Sequence, residues 1–225
     1  MKNLLNLFFP DICITCKSVL TDFESFVCLD CRHQLPVFDT PKLADEAIKK
    51  ILKGRVSIET GYTLLRFSKK GKVQELIHQL KYKGNEAVGE FLGDWMGSEL
   101  KPYRNLEEID VVIPVPIHKK KLKERGYNQV EKFGKSIAKE LKVPYIDTVL
   151  VKRSNTKTQV FKTRLSRWMD KKGVFELENP SVLQDKHILI VDDIITTGST
   201  MEVCVSQLQK IKGVKVSIAA MAVTE

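Results

Sequence analysis

The chain has 225 residues, 43% of them hydrophobic and 29% charged, which is typical of a globular protein with a substantial core. No stretch approaches the roughly 18 uninterrupted apolar residues that a membrane span needs. Residues 1–10 lack the small-residue cleavage site of a signal peptide, and we expect them to form an amphipathic helix packed on the fold. The composition therefore predicts a cytoplasmic protein with no membrane span.

The net charge of +9 is concentrated in two places. Residues 118–125 carry a net charge of +4 and residues 152–172 a net charge of +7, so the remainder of the chain is slightly acidic. Two local basic segments indicate phosphates or polyanions as ligands. The alternative is that these lysine-rich segments are solvated surface.

The first predicted unit contains four of the five cysteines, at Cys13, Cys16, Cys28 and Cys31. They form two C-x2-C pairs separated by eleven residues. Each pair can present two thiolates from a tight turn, and two pairs complete the tetrahedral shell of a structural Zn²⁺. Two disulfides or a redox pair are the alternatives. No secretory signal supports disulfides, and a redox site would need one C-x2-C pair, whereas this sequence has two. We predict a small zinc-ribbon-like module.

A regular alternation of strands and helices follows the cysteine module. We predict a module at residues 1–38, a connecting helix and linker at 39–58, and one domain at 59–225. The predicted strands cover residues 59–67, 109–113, 146–151, 187–191 and 214–222. The predicted helices cover residues 42–53, 71–82, 86–100, 128–141 and 199–211. Apolar strands separated by helices indicate a mainly parallel α/β sheet with helices on both faces.

Residues 153–172 interrupt this alternation with a long, polar and basic segment. Such a segment is either a functional loop or a poorly ordered one. Trp168 lies within it and is a candidate for stacking on a nucleic-acid base.

The most informative stretch is VDDIITTGST, at residues 191–200. Ligands of open α/β sheets bind outside the carboxyl ends of the strands, and the sequence places Asp192 and Asp193 at such an end. The residues after them form a turn into a helix, which offers backbone N–H groups and a positive dipole end to a phosphate. The turn residues are Thr196, Thr197, Gly198, Ser199 and Thr200. Since the acids suit hydroxyls or a divalent cation, the pattern indicates a sugar phosphate.

The string ILIVDDIITTGST, at residues 188–200, closely resembles the phosphoribosyl pyrophosphate (PRPP) motif of type I phosphoribosyltransferases. The resemblance implies that Asp192 and Asp193 face the ribose hydroxyls and that residues 196–200 hold the 5′-phosphate. It also implies Mg²⁺ bound with PRPP. The alternative is an acidic strand end followed by a helix-capping turn.

The order of motifs along nearly the whole chain resembles the competence-protein ComF family. The matching pieces are the four cysteines, residues 80–84 (LKYKG), 112–116 (VIPVP), 125–129 (RGYNQ), Thr158, Gln159 and Arg164. By resemblance the pyrophosphate lies at residues 114–121, where Pro116, Lys119, Lys120 and Arg125 are the candidate contacts. Arg153, Gln159, Arg164 and Trp168 are candidates for a closing lid or for nucleic-acid contact.

The resemblance implies a PRPP-binding protein that transfers ribosyl 5-phosphate to an unknown acceptor with Mg²⁺, in a DNA-uptake context. A non-catalytic competence factor that binds single-stranded DNA and has a regulatory PRPP or nucleotide site is the alternative. Other competence proteins are the expected partners. Tyr127 and Asn128 are expected either to cap the helix at 128–141 or to contact the ligand.

Overall fold

The computed structural model describes residues 9–101, 109–153 and 174–224. The seven α-helices of these ranges, α1 to α7, span Leu29–His33, Pro41–Leu52, Lys72–Tyr82, Ala87–Leu100, Lys119–Arg125, Glu131–Leu141 and Ser199–Leu208. The six strands, β1 to β6, span Gly61–Phe67, Val111–Pro114, Leu150–Lys152, Phe175–Leu177, His187–Ile195 and Lys215–Thr224. No helix within the described ranges is both long and apolar enough to cross a membrane. The predicted N-terminal helix falls mainly on residues 1–8, which lie outside the described residues.

Four strands form the central sheet, in the order β1-β6-β5-β2, and every neighbouring pair is parallel. Pro114 of β2 is opposite Val191 of β5. Because the two strands are parallel, the loop after β2 and the acidic residues of β5 reach the same edge of the sheet. The strand order therefore places residues 114–116 beside the acid pair.

Helices cover both faces of the sheet because the side chains of its strands alternate between two hydrophobic clusters. Leu189 and Val191 belong to the cluster formed with α3, α4 and α6. Ile188 and Ile190 belong to the cluster formed with α2 and α7. The two-faced α/β architecture predicted from the apolar strands is thus confirmed.

The cysteine module packs directly on the first of these faces. Cys13, Cys28 and Cys31 are buried in the same cluster as Phe91 of α4. The guanidinium of Arg32 lies 4.9 Å from the ring centre of Trp95. The module is therefore continuous with the main hydrophobic core on this face.

The predicted end of the acidic strand, at Val191, is wrong by four residues. β5 continues to Ile195, because its backbone ladder with the long strand β6 extends through Asp192, Ile194 and Ile195. The acid pair therefore belongs to a paired, buried segment of sheet.

Two further elements differ from the prediction near the site. Lys119–Arg125 forms a short helix, α5, which was not among the predicted helices, and His118 caps it by accepting a hydrogen bond from Lys120 N–H. The predicted helix at 128–141 begins only at Glu131. Asn128 precedes this helix and donates from Nδ2 to the Val115 carbonyl at 3.1 Å. It therefore connects the segment before α6 with the loop after β2.

Beyond the central sheet, the strand predicted at 146–151 is only the short β3, at Leu150–Lys152. It pairs antiparallel with β4, which the sequence did not predict. The two form a separate two-stranded sheet. The predicted lid after β3 lies, apart from Arg153, mostly outside the described residues.

Candidate functional site

The acid pair lies near the carboxyl end of β5 and is nearly inaccessible to solvent. Asp192 is 8% exposed and Asp193 4% exposed. One carboxylate oxygen of Asp193, Oδ1, lies 2.8 Å from the ammonium of Lys81, at the end of α3. The other, Oδ2, is buried and has no hydrogen-bond partner among the described residues. A buried carboxylate oxygen without a partner is energetically costly, and Oδ2 therefore has the capacity to accept a hydrogen bond.

The neighbouring carboxyl of Asp192 accepts a hydrogen bond from the Asp193 N–H at 2.8 Å. Burial raises the pKa of Asp192 to about 8, and the charge of Asp193 acts in the same direction. The Asp193 N–H and the charges of Lys81 and Lys152 partly oppose this rise. Asp192 therefore loses its proton at a higher pH than an exposed carboxyl does.

The turn after β5 is shaped by its glycine and held by α2. Gly198 has φ of +70°, a conformation that side-chain-bearing residues rarely adopt. A Cβ at this position would lie 2.7 Å from Cγ2 of Ile51. The guanidinium of Arg55 donates to the carbonyl of Thr197 at 2.6 Å. No pattern in the sequence indicates that the connecting helix and Arg55 support this turn.

The first turn of α7 follows immediately, and its N–H groups have no partners within the helix. One small cavity, of about 40 Å³, is lined by Asp192 and by the turn residues. The lining residues are Asp192, Ile194, Ile195, Thr196, Thr197, Gly198, Ser199, Thr200 and Met201. The structure thus brings one of the two acids and all five predicted turn residues to a common cavity.

A second, larger cavity of about 300 Å³ is lined by three cationic side chains among its seven residues. It is lined by Lys81, Tyr82, Gly84, Lys121, Glu124, Arg125 and Tyr127. We call it the basic pocket. Its Lys81 is the residue paired with Asp193, so the pocket adjoins the acid pair.

The predicted pyrophosphate contacts are only partly brought together at the basic pocket. Arg125 lines it, whereas Lys119 and Lys120 are exposed on α5 and do not. Lys120 instead lies 3.9 Å from Glu124 one helical turn later. Pro116 is partly exposed in the loop between β2 and α5. Because residues 119–125 are helical, only two of their five cationic side chains, those of Lys121 and Arg125, line the pocket, together with Glu124.

Direct contacts join two of the short strings noted in the sequence. The hydroxyl of Tyr127 donates to the carbonyl of Leu80, so RGYNQ packs against LKYKG. Within RGYNQ, the guanidinium of Arg125 donates to Gln129 and lies 5.9 Å from the ring centre of Tyr82. These contacts fix the wall of the basic pocket. Tyr127 is therefore a structural contact between motifs and does not cap α6.

Lys152, on β3, is a cation near the acid pair that the sequence reasoning missed. Its ammonium lies 4.9 Å from the ring centre of Phe175. Burial lowers the pKa of Lys152, with the charge of Lys121 adding to the effect, while Cys204 and Asp192 oppose it. The guanidinium of the neighbouring Arg153 forms ion pairs with Glu176 of β4 and with Glu178 just after it. Gln159, Arg164 and Trp168 lie outside the described residues.

The four cysteines of the N-terminal module form a compact cluster. Their Sγ atoms all lie within 4.8 Å of one another, and those of Cys16 and Cys28 are 3.6 Å apart. All four are free thiols. Sulfur atoms around a tetrahedral Zn²⁺, each at about 2.3 Å, are separated by similar distances. The donor set and its geometry therefore fit a closed structural metal site.

Comparisons with known proteins agree with this architecture. Residues 131–224 match the family described as phosphoribosyl transferase domain. The chain is 31% identical over 129 residues to the DNA utilization protein YhgH of Escherichia coli O157:H7, a match covering 56% of each chain. The chain thus spans only about half the length of that relative. It is 24% identical over 199 residues to the competence protein ComFC of Bacillus subtilis, covering 85% of this chain and 76% of that protein.

Among solved structures, the chain is similar to an adenine phosphoribosyltransferase from Saccharomyces cerevisiae. The sequence identity is 18% and the TM-score 0.38, covering 61% of this chain and 70% of that one.

The parallel sheet and the family match define the class: the chain carries a phosphoribosyl transferase domain, matched at residues 131–224. With its N-terminal four-cysteine cluster and its relatives named for competence and DNA utilization, the chain is similar to proteins of the ComF family.

Proposed function

We propose that this protein binds PRPP with Mg²⁺ and acts in DNA uptake or utilization, with transfer of ribosyl 5-phosphate to an acceptor as its chemistry. The observation that carries the proposal is the cavity shared by Asp192 and the T-T-G-S-T turn, together with the buried Oδ2 of the adjacent Asp193, which has no hydrogen-bond partner in the described part of the chain. A single ligand with ribose hydroxyls and a phosphate would satisfy both parts.

The turn supports binding of the 5′-phosphate. Its N–H groups open α7, and the helix dipole favours a negative charge there. The hydroxyls of Thr197 and Ser199 lie 3.2 Å from each other at the same turn and can donate to phosphate oxygens. Arg55 is committed to the Thr197 carbonyl and to Glu202, so its role is to hold the turn.

The acid pair supports binding of the ribose. A carboxylate accepts hydrogen bonds from vicinal hydroxyls, and Oδ2 of Asp193 has capacity for one. Mg²⁺ would supply charge neutralisation of the leaving pyrophosphate and would orient it against the ribose.

The basic pocket supports binding of the pyrophosphate end. It concentrates Lys81, Lys121 and Arg125 next to Asp193. Of the contacts expected from the sequence, Arg125 stays in the proposal, and Lys121 and Lys81 take the place of Lys119 and Lys120. Arginine and lysine side chains that face a leaving anion stabilise its developing charge.

Isothermal titration calorimetry tests the proposal directly. We expect wild-type protein to bind PRPP only when Mg²⁺ is present. Asp192→Asn combined with Asp193→Asn should weaken this binding by at least about 100-fold, because hydrogen bonds to charged groups contribute about 1.5–3 kcal/mol each. The matched control is Asp94→Asn, which removes an exposed carboxylate from α4. Binding that needs no Mg²⁺, or that survives in the double variant, would refute the proposed site.

A second candidate function, binding of single-stranded DNA, is favoured by one observation. Four lysines on α5 are exposed on a helix of seven residues, so their charges face solvent. A dense cationic surface of this kind suits a phosphate backbone.

Neutralising Lys119, Lys120 and Lys123 with glutamine should reduce single-strand affinity and flatten its dependence on salt, since each lost phosphate contact lowers the slope by about 0.7. The control replaces Lys210, Lys212 and Lys215, three exposed lysines near the amino end of β6. Fluorescence anisotropy of a labelled oligonucleotide gives both quantities. Equal losses of single-strand affinity in the two triple variants would show that only the net charge matters and that α5 is not the binding surface.

A further inference from the structure

Lys81 occupies a position between the acid pair and the basic pocket. It lies in the last turn of α3, where its side chain is 23% exposed, and its ammonium is 2.8 Å from Oδ1 of Asp193. The same residue lines the basic pocket together with Lys121 and Arg125. Lys81 therefore contacts Asp193, which is proposed to bind ribose, and also lines the basic pocket, which is proposed to bind an anion.

The charges on the two sides of Lys81 differ in sign. Within the described chain, Asp193 is the acidic group in contact with this ammonium, and it is almost fully buried. The pocket on the other side carries Lys121 and Arg125, with Glu124 as the acidic residue of its lining. An anion entering the pocket would be attracted by all three cations, whereas Asp193 holds one of them.

We propose that Lys81 is a partner-exchange residue: it neutralises Asp193 in the free protein and turns to the anionic group of the ligand when the basic pocket fills. The inference rests on the proposed PRPP site and goes beyond it, because it assigns a coupling between its two ends. Release of Lys81 leaves both oxygens of Asp193 available to the ribose hydroxyls. Occupation of the basic pocket thereby prepares the acid pair for its own ligand.

Inorganic pyrophosphate is the probe for this exchange, because it fills the anion pocket without engaging the ribose contacts. We expect Lys81→Gln to weaken pyrophosphate binding by at least about tenfold, and Lys81→Arg to keep most of it. Lys83→Gln is the matched control: it removes an equal charge two residues away, from an exposed side chain outside the pocket lining. Calorimetry of the four proteins supplies the affinities, and circular dichroism confirms that each is folded.

A double-mutant cycle separates exchange from a purely structural role of Lys81. In the wild-type background, Asp193→Asn should tighten pyrophosphate binding severalfold, because Lys81 no longer has to leave a carboxylate. In the Lys81→Gln background the same substitution should have a smaller effect. A structural lysine would weaken binding without this non-additivity.

Two results would overturn the inference while leaving the proposed function intact. The first is PRPP binding that depends on the acid pair, together with pyrophosphate affinity that Lys81→Gln does not change. The second is additive behaviour in the cycle. If wild-type protein binds pyrophosphate through Lys81 but does not bind PRPP, the proposed function fails and the assignment of Lys81 to the anion pocket stands.

Discussion

At the scale of single residues, Asp192 is an acidic group that the fold holds largely out of water. It is buried next to Asp193, and burial raises its pKa to about 8. A folded-state pKa above the unfolded one means that folding holds the proton more tightly. Its contribution to stability is therefore greatest below the unfolded pKa of about 4 and declines as pH rises toward 8.

This sign leads to a prediction for Asp192→Asn, which keeps the side chain neutral at all pH values. The stability of the variant relative to wild type should increase between pH 5 and pH 8, by more than about 1 kcal/mol. Urea unfolding at a series of pH values provides the comparison, with the exposed Asp94→Asn as control. A stability difference that stays constant across this pH range would show that Asp192 is already ionised at pH 5.

The residues that support the site were harder to predict than those that form it. Asp192, Asp193 and the turn after them are contiguous in sequence, and their chemistry follows from their order. Lys81 lies 112 residues from Asp193, and Arg55 lies 142 residues from Thr197. Neither pairing leaves a local pattern, because strand order and helix packing alone bring these residues together.

At the scale of elements, α3 connects the cysteine cluster with the acid pair. Near its start, the ammonium of Lys72 lies 3.8 Å from Sγ of Cys31 and 2.5 Å from Oε1 of Gln34. Near its end, Lys81 contacts Asp193. Nine residues of helix separate the two lysines, a distance of about 13–14 Å. Side chains near the two ends of this helix thus contact the two sites.

We predict that the cysteine cluster holds one Zn²⁺ per chain and that its removal loosens α3. Stripping the metal with a chelator should lower Tm by about 5 °C or more and increase amide exchange in α1 and in the first turn of α3. Helix α7, on the opposite face of the sheet, is the internal reference. Hydrogen exchange followed by mass spectrometry locates the change.

Two outcomes would contradict this account of α3. Full metal content after all four cysteines are replaced by serine would exclude the cluster as the metal site. Unchanged exchange at the start of α3 after metal removal would show that its contacts to the cysteine module do not hold the helix in place.

Among the elements, those with strong periodicity were predictable and those set by distant contacts were not. The helices α3 and α4 begin within one residue of their predicted starts, because an apolar stripe or a dense apolar segment defines each. The end of β5 was misplaced, since two acids in sequence usually mark a strand end. Only the partner strand β6, which continues alongside, keeps them in the sheet.

At the scale of the whole molecule, motifs that are separate in the sequence lie together at one edge of the sheet. The VIPVP segment, the acid pair and the T-T-G-S-T turn meet there because β2 and β5 run parallel and adjacent. The RGYNQ and LKYKG strings join them through Tyr127, Leu80 and Asn128. The parallel topology was predictable from the apolar strands, whereas the strand order that creates this edge was not.

The central claim is that the acid pair and the turn after it form one site for a ribosyl phosphate. The most direct test is the affinity of PRPP in the presence of Mg²⁺, measured by calorimetry for wild-type protein and for the Asp192→Asn, Asp193→Asn double variant. The account predicts measurable Mg²⁺-dependent binding to the wild type and a loss of at least about 100-fold in the variant. Equal affinities in the two proteins would contradict it.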